Sequence, residues 1–159
     1  MSIISKIRQR IRRNHHRWLH QRACRAILNT APLHPGSLPF TLLSMVQKRD
    51  VLPYLVAVKS FARFVCPQRV VVVCDPTIDD ADRQVLRTHV PHVEFRAAQE
   101  FTHPEIPRGG TWERLMAICD YARDGYVVQL DADTVTADLP GEVLQAISGG
   151  TGFVLGEAT

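Results

Sequence analysis

The sequence predicts an α/β fold in which a doubly wound, mostly parallel sheet has helices on both faces and follows a basic amphipathic helix. Three observations indicate this class. Apolar runs of strand length alternate along the chain with segments of helical periodicity. The run at residues 69–74 is nearly continuous and β-branched, as expected of a strand buried on both faces. The segments between the runs are long enough to form helical crossovers, which join parallel strands.

The elements are predicted in chain order. Residues 1–30 form the basic N-terminal segment, with a helix over 2–28, residues 31–39 form a proline-rich linker, and residues 40–159 form the globular domain. The predicted strands of the domain are 40–46, 69–74, 90–96 and 126–130, and its predicted helices are 51–65, 78–88 and 111–123. Thr77 and Asp80 are expected to cap the helix over 78–88. In the helix over 111–123, the residues expected to face inward are Leu115, Met116, Ile118, Cys119 and Ala122.

Charge is distributed unevenly along the 159 residues. Residues 1–49 carry ten of the nineteen Lys and Arg residues and no acid, so all sixteen acids lie in the remainder. The four cysteines include no C-x-x-C pair, which argues against a zinc knuckle or a disulfide framework and favours a reducing compartment. The sequence contains no run of about 20 apolar residues that could span a bilayer. Its N-terminus also lacks the apolar stretch that is typical of a secretory signal.

The N-terminal helix is basic and amphipathic, with Ile4, Ile7, Ile11 and Trp18 on one stripe. Such a helix suits an anionic membrane surface, where each Lys or Arg contributes about 1 kcal/mol. We therefore expect peripheral contact with an anionic membrane through residues 2–28, in a cytoplasmic protein at the cytoplasmic face. A nucleic-acid arm, a mitochondrial presequence and a helix packed on the domain by its Ile stripe are the alternatives. No nucleic-acid partner is expected.

Two carboxylates, Asp131 and Asp133, follow the last predicted strand. Side chains two residues apart point the same way in an extended segment, so both can face one ligand if the strand geometry persists through Ala132. Hard cations such as Mg²⁺ and Mn²⁺ prefer these oxygens and often bind with a phosphate. The alternative is that the two acids merely cap a turn.

In a doubly wound sheet, ligands bind beyond the carboxyl ends of the strands. That edge should bring together four features of this chain: Val46-Gln47, Asp75, the loop 108–110 and the run 131–133.

The run Leu-Asp-Ala-Asp-Thr-Val at residues 130–135 follows a helix that begins Gly-Gly-Thr-Trp-Glu-Arg-Leu and precedes Asp-Leu-Pro at 138–140. This arrangement resembles the nucleotide-binding half of GT-A glycosyltransferases, and the nearest likeness is to the glycogenin-like family 8 enzymes. The resemblance covers roughly residues 40–159 and excludes the basic helix. It implies transfer of a sugar from a nucleotide-sugar, most typically a UDP-sugar, to a glycan, lipid or protein acceptor.

The resemblance also implies roles for single residues. Asp131 and Asp133 would bind Mn²⁺, or Mg²⁺, between the two phosphates, and Asp131 would also reach the ribose or sugar. Arg114, where such enzymes often have Lys, would contact the diphosphate or sugar. The alternative for Arg114 is an intrahelical pair with Asp120 or with a residue next to it.

The donor base would be held at the end of the first strand. Met45, Val46 and Gln47 occupy that position, and Asp75 is a further candidate beside the uridine. No catalytic residue is assigned, because a nucleoside diphosphate leaves once its charge is neutralised.

Two departures from the family pattern concern the C-terminal side. A later His supplies the third metal ligand in the family, but all seven histidines here precede Asp131, and the chain ends 26 residues after Asp133. We therefore expect an N-terminal fragment or a truncated gene product that contains half of an active site.

Two other functional classes compete with this interpretation. A strand followed by Asp-x-Asp-x-Thr also opens haloacid-dehalogenase-like phosphatases, in which Asp131 would be the nucleophile and Asp133 the general acid. Those enzymes place the motif early and need a later Lys, whereas no Lys follows Lys59. A non-catalytic module that binds membranes or nucleic acid would rest on the basic helix alone.

Overall fold

The structure, a computed structural model, describes residues 3–153, without the side chains of residues 3–7, 9, 11, 13 and 17. Within this range the helices and strands alternate after the first helix. In chain order they are α1 (Ile3–Cys24), β1 (Leu38–Val46), α2 (Val51–Ala62), β2 (Pro67–Cys74), α3 (Asp80–His89), β3 (Val93–Ala97), α4 (Thr111–Tyr121), β4 (Tyr126–Gln129) and α5 (Gly141–Gly149).

The four strands form one sheet in the order β3-β2-β1-β4, and every neighbouring pair is parallel. The crossovers contain α2, α3 and α4, as parallel connections require. The prediction of an α/β fold with a parallel sheet is therefore confirmed.

The sheet has a hydrophobic layer on each face because side chains alternate along its buried strands. Leu42, Val70 and Val72 belong to one layer, together with residues of α2, α3 and α5. Leu43 and Val71 belong to the other layer, together with residues of α4. Helices thus cover both faces, as expected for a doubly wound sheet.

Two local predictions were wrong. The N-cap of α3 is Asp79, whose carboxylate accepts from the Asp82 backbone N–H at 2.9 Å in a capping box. Thr77 bonds to the preceding turn instead, since its hydroxyl donates to Asp75 at 2.6 Å. The N-cap therefore lies two residues after the predicted Thr77, and its N3 partner is Asp82 rather than Asp80, because Thr77 closes the turn after β2.

The buried face of α4 also differs from the predicted one. Glu113, Ala117 and Tyr121 are buried, whereas Leu115, Cys119 and Ala122 are exposed. The large aromatic ring of Tyr121 turns this face inward, where it packs beside Phe101.

The predicted linker is held against the domain by backbone hydrogen bonds. Leu33 N–H donates to the His89 carbonyl at 2.8 Å, and Gly36 N–H donates to the Pro67 carbonyl at 2.8 Å. A Cβ atom at Gly36 would lie 2.1 Å from the Cys66 carbonyl oxygen, so only glycine fits this approach. The segment between α1 and β1 is therefore closely packed at this point.

Helix α1 ends at Cys24, before the predicted position 28, and a 3₁₀ turn continues over Arg25–Asn29. The stripe prediction for Ile4, Ile7 and Ile11 lies outside the described side chains, whereas Trp18 is 53% exposed. Among the described residues, no helix is long and apolar enough to cross a membrane.

Candidate functional site

The sheet order places a topological switch point between β1 and β4. From β1 the chain proceeds to β2 and β3 on one side and returns to β4 on the other side. Because the two adjacent crossovers diverge there, a crevice opens beyond the carboxyl ends of β1 and β4. The predicted site residues of these two strands flank this crevice.

A cleft of about 220 Å³ lies at this edge, and we call it the β1 cleft. Its lining residues are Met45, Gln47, Asp75, Gly110, Thr111 and Arg114. Four of the predicted site residues therefore meet in one cleft. Val46 does not line it, because its side chain is fully buried in the core on the other face of β1. Only its backbone is engaged at this edge, where its carbonyl accepts from the Asp75 N–H at 2.9 Å.

The turn after β2 fixes the position of Asp75. Its Oδ1 accepts from both the backbone N–H and the hydroxyl of Thr77, at 2.9 and 2.6 Å. The Thr77 hydroxyl in turn accepts from the Lys48 backbone N–H at 3.1 Å. The ends of β1 and β2 are thus joined through one side chain, which holds Asp75 beside Gln47.

The loop before α4 is fixed by Glu113. Both oxygens of this buried carboxylate accept from the Gly109 N–H, at 3.0 and 3.1 Å. Gly109 has φ 142°, a conformation in which a side chain would be strained. The Glu113 bond therefore holds the Gly109-Gly110 loop at the first turn of α4, where Thr111 and Arg114 face the β1 cleft.

Arg114 forms an ion pair with Asp131 across the switch point. Its Nη1 lies 2.8 Å from Asp131 Oδ1, and the Gln129 side-chain amide donates to the same oxygen at 2.8 Å. The alternative partner of Arg114 was wrong, since Asp120 lies 3.5 Å from Arg123 instead. The structure thus connects α4 to the end of β4 through the two charged residues that the sequence had singled out.

The two carboxylates of the Asp-x-Asp motif do not share an extended segment. Strand β4 ends at Gln129, and the Asp131 carbonyl accepts from the N–H and hydroxyl of Thr134 at 3.4 and 2.9 Å. The chain therefore turns at Ala132, whose side chain packs against the core. Asp133 is exposed and, within residues 3–153, forms no ion pair. The condition for that alignment, strand geometry through Ala132, is therefore not met, because the turn bonds of Thr134 replace the strand.

Asp131 and Asp133 offer carboxylate oxygens, which are donors that hard divalent cations accept. Within residues 3–153, no three His, Cys, Asp or Glu side chains are grouped as a metal site. Mg²⁺ is commonly held by one or two carboxylates together with substrate phosphates and water. Both bonds to Asp131 reach Oδ1, so among the described contacts Oδ2 is the oxygen left for such an ion.

A larger groove of about 970 Å³ follows the edge of β4 that does not pair with β1, and we call it the β4 groove. Its lining is mainly apolar and includes Ile118, Val127, Val143 and Phe153, with Asp131 where the strand ends. Arg114 lines the β1 cleft, and its partner Asp131 lines the β4 groove. The ion pair therefore lies between the two concavities.

Sequence reasoning missed Gln129, Thr111 and Glu113. Gln129 could have been found from strand alternation, because it lies two residues before Asp131 and shares its direction. Glu113 follows a Gly-Gly pair at capping distance, which is also a readable signal. Nothing in the local pattern distinguishes Thr111 from an ordinary first residue of a helix.

Comparison with known proteins adds no family to these observations. No protein-family model matches the chain, and no curated protein matches it with significance.

Proposed function

We propose that this chain is the nucleotide-sugar-binding part of a glycosyltransferase with a GT-A-like fold. The observation that carries the proposal is the Arg114–Asp131 pair at the switch point, between the β1 cleft and the β4 groove. A nucleotide-sugar has the same order of parts: a nucleoside, a charged diphosphate and a sugar.

The β1 cleft suits the nucleoside. Met45 offers an apolar surface at its wall, and Gln47 and Asp75 offer polar groups that can hydrogen-bond a base or ribose. Ligand sites commonly combine such an apolar wall with a few placed polar groups.

Arg114 suits the diphosphate. Its guanidinium can donate two parallel hydrogen bonds to phosphate oxygens, and its bond to Asp131 holds it at the mouth of the cleft. The leaving diphosphate develops negative charge, which a fixed guanidinium stabilises.

Asp131 and Asp133 would hold a divalent cation, Mn²⁺ or Mg²⁺. When bound, such an ion neutralises the charge on the leaving diphosphate as a Lewis acid. The two carboxylates supply hard oxygen donors, and the Thr134 bonds fix the turn that carries them.

The phosphatase alternative has less support. The Asp-x-Asp run follows the fourth strand of the sheet, after three strand–helix units, and no Lys follows Lys59. In addition, the ion pair with Arg114 would make the Asp131 carboxylate a weaker nucleophile.

Calorimetric titration of UDP in the presence of Mn²⁺ tests the proposal. We expect binding, and we expect Arg114→Gln to weaken it by about 10- to 100-fold, because a hydrogen bond to a charged group contributes roughly 1.5–3 kcal/mol. Asp133→Asn should remove the Mn²⁺ dependence.

The matched control is Asp124→Asn, which neutralises an exposed acid in the turn before β4. It should bind UDP as the parent does. Absence of heat with UDP and Mn²⁺ for the parent protein, or equal heats for the parent and Arg114→Gln, would refute the proposal. Turnover of a generic phosphatase substrate that is lost in Asp131→Asn would favour the alternative.

A further inference from the structure

Helix α1 projects from the domain as an exposed arm. Every described side chain from Arg8 to Ala23 is exposed, and Cys24 is the first buried one. The body is reached at the end of the helix, where the Gln21 amide donates to the Arg49 carbonyl at 3.5 Å. Arg49 lies two residues after Gln47, so the arm joins the body beside the carboxyl edge of the sheet.

The arm carries a single sign of charge. Residues 3–24 contain seven Lys and Arg residues and no acid. Four of its arginines have described side chains, and none of the four forms an ion pair with a described residue: Arg8, Arg10, Arg12 and Arg22. These charges are therefore available to an external anionic surface.

The same arm exposes apolar surface. Trp18 is 53% exposed and Leu19 is 44% exposed, and the Arg22 guanidinium carbon lies 5.5 Å from the centroid of the Trp18 ring. At 100° per residue, positions 4, 7, 11 and 18 fall within about 60° of one another on the helix. Positions 8 and 10 flank this stripe on its two sides.

We propose that α1 lies on an anionic phospholipid bilayer, with its apolar stripe at the acyl boundary and the flanking arginines on the headgroup phosphates. Charge complementarity and the exposed Trp18 together favour a bilayer over a nucleic acid. A polyanion in solution would use the arginines, but it has no apolar interior for Trp18.

Vesicle flotation of the full chain tests the inference. The probes are phosphatidylcholine vesicles with and without phosphatidylglycerol, and we expect recovery with the anionic vesicles only. The triple variant Arg8→Gln, Arg10→Gln, Arg12→Gln should lower partitioning on the order of a hundredfold, because each basic residue contributes roughly fivefold.

A charge-matched control separates the arm from net charge. The triple variant Arg63→Gln, Arg87→Gln, Arg123→Gln removes three exposed arginines from the body and should float like the parent. Equal losses in the two triple variants would overturn the proposal, as would equal recovery of the parent with both kinds of vesicle.

Fluorescence separates a bilayer from a nucleic acid. Trp112→Phe leaves Trp18 as the one tryptophan, and its emission should shift to the blue with anionic vesicles. An unshifted emission with vesicles, together with tight binding of a short DNA duplex, would overturn the proposal in favour of a nucleic-acid arm.

Discussion

Glu113 determines how firmly the loop before α4 is held. Its carboxylate is buried, and both of its oxygens accept from the Gly109 N–H. Among the described hydrogen bonds, these two are the ones that the Gly109 N–H donates. Since Gly110 and Thr111 line the β1 cleft, a structural residue and the ligand site are coupled here.

Replacing Glu113 should therefore affect both stability and ligand binding. We expect Glu113→Ala to lower the free energy of unfolding by about 0.5–2 kcal/mol, as for other lost caps, and to weaken UDP binding. Denaturant unfolding and calorimetry measure the two effects. Glu105→Ala, at an exposed loop position, is the control. If Glu113→Ala matched Glu105→Ala in both assays, the loop would not depend on this carboxylate.

The candidate site could be predicted from the sequence only in part at this scale. Gln47 and Asp75 were located because the ends of parallel strands meet at one edge, whereas Met45 was named only from the family resemblance. The turn at Ala132 was not predicted, since it depends on Thr134 bonding to the Asp131 carbonyl. The Arg114–Asp131 pair joins residues 17 positions apart, so it depends on how α4 packs beside β4.

At the scale of the elements, hydrophobic periodicity predicted every strand of the sheet within three residues at each end. It failed at α5, a nine-residue helix with glycine at both of its termini, where capping and length signals are weak. The observed ends of the other helices differ from the predicted ones because local hydrogen bonds determine which residue caps a helix, as at Asp79.

The capping box of α3 makes its stability depend on pH. Hydrogen bonds from Lys48 and from the Asp82 N–H lower the pKa of Asp79 from 3.8 to about 2. The folded protein therefore holds this carboxylate ionised more strongly than the unfolded chain does. Its stabilising contribution is complete above about pH 4 and is lost as the pH falls towards 2.

Asp79→Asn should keep the cap and remove the charge. We expect a lower Tm than that of the parent at pH 7 and the same Tm near pH 2. Thermal unfolding across this range tests the expectation, with Asp124→Asn as the control. A Tm difference that persisted unchanged to pH 2 would contradict it.

At the scale of the whole molecule, the segment between α1 and β1 attaches the basic arm to the α/β domain. The composition of residues 31–39 predicted a linker, since prolines and a glycine interrupt the helical pattern there. Composition does not show whether such a segment packs against the domain. The backbone of Gly36 approaches Cys66 so closely that the segment has little freedom. The arm is thus joined to the domain through a packed strap.

Gly36→Ala should disrupt this strap. The added Cβ would lie 2.1 Å from a backbone oxygen, so the backbone must shift and the Gly36–Pro67 hydrogen bond is lost. We expect a loss of about 1–3 kcal/mol, as for other overpacked sites, and faster proteolysis within residues 30–37. Gly125→Ala, whose Cβ would meet nothing within 4 Å, is the matched control. Equal stability and equal cleavage in the two variants would show that the approach is not tight.

The bond between Arg114 and Asp131 has a consequence for the timing of ligand arrival. The Arg114 guanidinium already neutralises the charge of the Asp131 carboxylate. A metal cation that arrives alone must therefore compete with Arg114 for this carboxylate. A cation that arrives with a diphosphate gives Arg114 another anion to bind, and the competition is relieved. Coupling between two ligands is reciprocal, so under the proposed function each should raise the affinity of the other by the same factor. The ion pair would then make the two ligands bind as a cooperative unit.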